Sequence, residues 1–149
     1  MRLRSSVVLL VLFISISSAY TVFNNAFYCS GGCIDCINAL NNNTYNTVYL
    51  NSSLTSLGTC INHPSNFSNK IFDCRNNTII GPGGSYGIYT EGKTNLTIRY
   101  CAVHNFTRGI HISSASEITL FSNNISSNIP GPNSTDVGHG IFFNDVSDS

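Results

Sequence analysis

Gly87-Ile88-Tyr89-Thr90, Asn95-Leu96-Thr97-Ile98 and Cys101-Ala102-Val103 are followed by Gly109-Ile110-His111-Ile112, Glu117-Ile118-Thr119-Leu120 and Asn123-Asn124-Ile125. Each feature of the first line returns 22 residues later: Gly87 as Gly109, Leu96 as Ile118, Ile98 as Leu120, Val103 as Ile125. A repeat of that length marks a solenoid, in which each unit buries its apolar face only against its neighbours. Within a unit, Thr alternates with Ile or Leu in three short runs, so every second side chain points to the same face. Gly, Ser, Asn and Thr separate the runs and leave no room for a helix. Strands that return in one direction stack as parallel neighbours ~4.8 Å apart. The expectation is a coil of parallel β-helix.

The run from Phe72-Asp73-Cys74 through Asn77-Thr78-Ile79-Ile80-Gly81, Tyr86-Gly87-Ile88-Tyr89 and Asn95-Leu96-Thr97-Ile98 to Asn105-Phe106-Thr107-Arg108-Gly109-Ile110 resembles the right-handed parallel β-helix repeats of the pectin-lyase-like superfamily. It is most similar to the secreted, NosD-like β-helix proteins of bacteria and archaea. The resemblance runs from about Val48 to the C-terminus. It implies an all-β, right-handed solenoid. It selects no activity, because the fold hosts lyases, hydrolases, adhesins and scaffolds.

Working outward, the N-terminal side reads as leader and cap. Arg2 and Arg4 precede an apolar run from Val7 to Ile16, and Ser17-Ser18-Ala19 offers small residues. This is the pattern of a signal peptide, residues 1–19, cleaved after Ala19. An uncleaved anchor is the alternative, but the run is short for a bilayer. Tyr20 to Tyr28 reads as an extended lead-in. In Cys29 to Leu40, Ile34, Ile37 and Leu40 recur at every third residue, suggesting one or two helical turns. Residues 20–46 are therefore read as a Cys-rich helical cap for a solenoid whose first coil would otherwise expose core. Coils follow over 47–149, with Ser52 to Gly58 as a polar turn.

The period breaks at Ile129 to His139. Gly140-Ile141-Phe142-Phe143 repeats Gly109-Ile110-His111-Ile112 after 31 residues, so 129–139 is read as a side loop. No closing coil follows Asn144 to Ser149, and the chain is read as a fragment.

The chain has 149 residues, 9% charged, with a formal net charge of zero. No basic patch argues for nucleic acid, and no stretch after the leader could span a membrane. Six cysteines in an exported chain read as disulfides: Cys29, Cys33, Cys36, Cys60, Cys74 and Cys101. Pairing Cys60 with a cap cysteine would fasten the cap to the first coil. The alternative is a zinc site from Cys29, Cys33, Cys36 and Cys60. Cys74 and Cys101 close strands of successive coils; a bridge and two buried thiols fit them equally. Asn123, Asn124 and Asn128 suit turn ladders that satisfy backbone groups. Sequons start at Asn42, Asn51, Asn66, Asn76, Asn95, Asn105, Asn124 and Asn133.

Catalysis finds no constellation here. Among the acids Asp73, Glu91, Glu117, Asp136 and Asp145, the 22-residue register sets Glu117 over Asn95 and Glu91 under Ser113, so they do not pair as glycoside hydrolysis requires. Arg99 falls under Phe121, beside no stacked acid, and the coil charges read as solvated turns. His104, His111 and His139 lack close second ligands and read as surface residues. Tyr89, His111 and Phe142 should stack on the outward side of the Gly-Ile strands. They form either an aromatic ladder that stabilises the sheet or a shallow strip for a sugar. The sequence thus suggests an exported binding or display protein directed toward carbohydrate, with no cofactor. The alternatives are a lyase or glycoside hydrolase with catalytic coils beyond residue 149, and a structural stalk or surface-layer element.

Overall fold

The computed structural model describes residues 20–130 and 137–148. The expected leader (1–19), Asn133, Asp136 and most of the expected side loop lie outside the described residues. What is described is a β-solenoid of about four turns.

Each coil contributes one strand to each of three faces, because three short apolar runs per coil are divided by residues that tolerate sharp corners. The first face carries β2 (Ala26–Cys29), β3 (Thr47–Leu50), β6 (Ile71–Asp73), β9 (Thr94–Arg99) and the second half of β11 (Arg108–Phe121), paired in that order. The second carries β4 (Leu54–Thr55), β7 (Thr78–Ile80), β10 (Ala102–His104) and β12 (Asn124–Ser126). The third carries β5 (Ile61–Asn62), β8 (Tyr86–Glu91), the first half of β11 and β13 (His139–Ser147). All these pairs are parallel. Strand β1 (Thr21–Phe23) folds back antiparallel on β2.

The expected register holds through the regular coils: Leu96 pairs with Ile118, Ile98 with Leu120, and Val103 with Ile125. Inward residues therefore stack into columns. Phe27, Val48, Phe72, Ile98 and Leu120 line the first face, Leu54, Ile79, Val103 and Ile125 the second, and Ile61, Ile88, Ile110 and Ile141 the third. Most are fully buried, each worth about 1.5–3 kcal/mol relative to exposure. The columns open at the last coil, where Ile141 is 42% exposed against 0% for Ile110.

Corners are made by residues in the left-handed region, which Gly and Asn enter at least cost. Gly92 (φ 61°) turns the chain from β8 to β9, and Ser114 (φ 47°) turns β11 between its two faces without breaking the strand. Asn123 and Asn128 act as two-pronged staples. Asn123 Nδ2 donates to the Ile98 carbonyl (2.9 Å) while its Oδ1 accepts from the Cys101 amide (3.0 Å). Asn128 does the same for Val103 and Phe106. These buried backbone groups would otherwise be costly orphans. Asn124, expected in the same role, instead points outward from β12.

Four expectations are corrected. Phe27 to Cys29 is already a rung, not a lead-in, because Phe27 and Cys29 alternate inward beside Val48 and Leu50. Ser52 to Gly58 contains β4, whose Leu54 enters the core while Leu57 is 96% exposed. Helix α1 (Cys33–Asn41) buries Asp35, Cys36, Ala39 and Leu40, leaving Ile34 in solvent. The inner stripe is set by the bridged Cys36 with Ala39 and Leu40 three and four residues after it, not by the isoleucines. Helix α1 packs on β2, β3 and β5. The fourth correction concerns the charges. Asp73 is buried beneath Arg99, whose Nε donates to Oδ2 at 2.8 Å. These two residues are 26 apart, so a 22-residue register misses the pair.

All six cysteines are bridged: Cys29–Cys36, Cys33–Cys60 and Cys74–Cys101. Cys60 does join a cysteine of α1, and the bridge reading of Cys74 and Cys101 holds over the thiol one. No thiolate remains for the zinc alternative at Cys29, Cys33, Cys36 and Cys60. Three bridges fit an oxidising, extracellular environment. Among the described residues no helix is long and apolar enough to cross a membrane.

Candidate functional site

The third face carries the densest side-chain chemistry. Its inward residues, Ile88, Ile110 and Ile112, alternate with outward Tyr89 and His111 because a strand turns over at every residue. Parallel pairing then sets Tyr89, His111 and Phe142 in register on three coils. Their ring centroids are 5.1 and 5.0 Å apart, and His63 extends the row at 5.7 Å from Tyr89. The expected stacking of these rings therefore exists as one physical row. Its rings do not lie flat: His111 meets Phe142 at 89°, edge to face, as ring quadrupoles favour.

A second row, not foreseen in the sequence, runs beside the first. Tyr86, Arg108 and His139 share a register column. The Arg108 guanidinium lies 3.8 Å from the Phe142 centroid and 5.7 Å from that of Tyr86. Arginine has only donors, so its Nη1 donates to His111 Nδ1 at 3.2 Å. His139 packs on Phe142, and Tyr86 on both Tyr89 and His111. The signal was in the sequence: Tyr86, Arg108 and His139 each precede the strand's Gly or Gly-Ile pair by one residue.

Glu91 closes one end. The Tyr89 hydroxyl donates to Glu91 Oε2 at 2.7 Å, and the Glu91 backbone amide donates to His63 Nδ1 at 3.1 Å. That hydrogen bond to Glu91, with burial second, holds the Tyr89 phenol above its ordinary range. The result is a half-buried patch of rings with one fixed cation and one carboxylate at its rim. Such a surface can stack on the C–H face of a flat ligand and hydrogen-bond its hydroxyls.

Other expected residues are dispersed. Glu91 pairs in register with Ser113, as expected, and Glu117 belongs to a corner of the first face. Asp73 is committed to Arg99 and to the Arg75 amide. His104 lies on the second face, where its Nδ1 meets the Ser126 hydroxyl at 2.8 Å. Another aromatic pair, Tyr28 and Tyr49, stands on the first face under Arg75. A polar groove of about 540 Å³ lies along the corner before that face, lined by Asn43, Asn46, Asn66, Asn69 and Lys70.

Comparison with family models, with curated proteins and with solved structures yields no match to this chain.

Proposed function

We propose that the chain is an exported β-solenoid protein that binds or displays, and that it recognises carbohydrate through the Tyr89-His111-Phe142 row. The proposal takes the coils as right-handed and α1 as the cap of the first coil, in keeping with the resemblance to NosD-like proteins of the pectin-lyase-like superfamily. The observation that carries it is the pairing of two rows on one face: rings repeating coil by coil, flanked by Arg108 and His139 and ending at Glu91. Aromatic surface with a few fixed polar groups is what a pyranose binds, through its C–H face and its hydroxyls. A structural ladder alone needs no cation in the same patch. The disulfides fit work outside the cell.

The test is a glycan array followed by titration of the best oligosaccharide against the full chain. Tyr89→Ala and His111→Ala should each weaken binding by tenfold or more. Tyr49→Ala, on the first face, should leave it unchanged. Absence of binding to any glycan, or equal loss in all three variants, would refute the reading.

A further inference from the structure

The seven sequons among the described residues divide into two sets by what their amide nitrogens do. Asn42 Nδ2 donates to the Tyr20 hydroxyl (3.1 Å), Asn66 Nδ2 to the Asn41 carbonyl (2.7 Å), and Asn95 Nδ2 to Asn69 Oδ1 (3.0 Å). These three amides are turned onto the protein surface, and Asn42 is itself half-buried. Among the described residues, Nδ2 of Asn51, Asn76, Asn105 and Asn124 donates to no protein group, and all four side chains are exposed.

The same division is spatial. Asn51 precedes β4, Asn76 precedes β7, Asn105 follows β10, and Asn124 opens β12. All four therefore rim the second face. That face is chemically bland: besides Asn124 itself, its outward residues are Thr55, Thr78, Ile80, Ala102, His104 and Ser126. The engaged set precedes or opens strands of the first face. The outward side of β5, β8 and β13 carries none of these seven asparagines.

We propose that Asn51, Asn76, Asn105 and Asn124 are N-glycosylated, so that a glycan sheath covers the second face and leaves the ring-bearing third face bare. The donor is a lipid-diphosphate-linked oligosaccharide of a secretory pathway. The amide nitrogen attacks the anomeric carbon, the N–C bond forms, the sugar–diphosphate bond breaks, and the lipid diphosphate leaves with the amide proton going to solvent. One N–H remains on each modified nitrogen, with nothing in the fold depending on the other. In the engaged set the amide nitrogen lies against its acceptor, so a sugar on it would have to fit beside the Tyr20 hydroxyl, the Asn41 carbonyl or Asn69 Oδ1, whereas the free set faces solvent. The sheath also blunts the edges of a short-stranded sheet against other chains. The inference rests on the export reading of the proposed function, and on nothing about the ligand.

The experiment expresses the full chain in a eukaryotic secretory host. Enzymatic deglycosylation in heavy-oxygen water then marks each formerly occupied Asn as a labelled Asp, read by peptide mass mapping. The expected result is labelling at Asn51, Asn76, Asn105 and Asn124, with Asn42, Asn66 and Asn95 at under a tenth of that occupancy. Equal labelling of the engaged set, or a secreted and fully disulfide-bonded chain with no label at the four sites, overturns the glycan assignment alone. A chain that stays in the cytosol with its leader intact and its cysteines reduced overturns the export reading and the assignment with it.

Discussion

Arg99 sits directly above Asp73 on adjacent coils of the first face, its Nε donating to Oδ2 across 2.8 Å. Asp73 is nearly buried, while about a third of the Arg99 side chain is exposed. Coulomb attraction and a charge-assisted hydrogen bond act here with little water between them. Arg99→Met would leave a buried carboxylate with the Arg75 amide as its remaining hydrogen-bond donor. The expected loss is about 1–3 kcal/mol in urea denaturation, with part of it recovered in Asp73→Asn/Arg99→Met.

Space at the corners decides a second prediction. A Cβ on Gly109 would collide with the Ile125 side chain and come within 2.7 Å of the Gly140 carbonyl oxygen. A Cβ on Gly140 has its nearest neighbour at 3.6 Å. Gly109→Ala should therefore cost about 1–3 kcal/mol. Gly140→Ala should be close to neutral, as thermal denaturation of the two variants will show.

Lys70 governs a pH response. Its ammonium is buried and donates to the carbonyls of Asn42 (2.6 Å) and Tyr45 (2.7 Å). Desolvation lowers its pKa from 10.5. A base with a lowered folded pKa holds fewer protons folded than unfolded between the two values, so its contribution to stability increases with pH in that window. Tyr89 works the other way above pH 10, since its raised phenol pKa leaves the folded state more protonated. The stability difference between the native chain and Lys70→Met should thus grow in favour of the native chain as pH rises from the lowered pKa toward 10.5. Denaturation series on both proteins across that range will check it.

The cross-coil bridge Cys74–Cys101 spans 27 residues. By loop closure it restricts the unfolded chain by roughly 3 kcal/mol. Cys74→Ser/Cys101→Ser should lower the denaturation midpoint accordingly, with far-ultraviolet circular dichroism of the folded state unchanged.

Legibility in the sequence followed the regularity of the coils. Between Gly87 and Ile125 two units have equal length, so pattern alone assigned partners such as Val103 and Ile125. Earlier coils carry loops of different size, and partners lie 24 residues apart at Val48–Phe72 and 27 at Ile61–Ile88. There no single period could place Asp73 under Arg99. The α1 stripe escapes an argument from apolar spacing because Ile34 is apolar yet faces out, while a cysteine and an aspartate, Cys36 and Asp35, are buried on the inner side. The ring row was legible because alternation and register both act through the backbone. The Arg108 row required knowing how long side chains fold across neighbouring strands.

The asparagine staples all reach backward. Asn77 grips the Leu50 carbonyl, Asn123 that of Ile98, and Asn128 that of Val103. Each loop is thus locked by a residue synthesised after the group it holds. A layer therefore has its corner locked only when the next coil is laid on it. Unwinding under tension should begin with the layer added last, whose departure releases the carbonyls that its asparagines held.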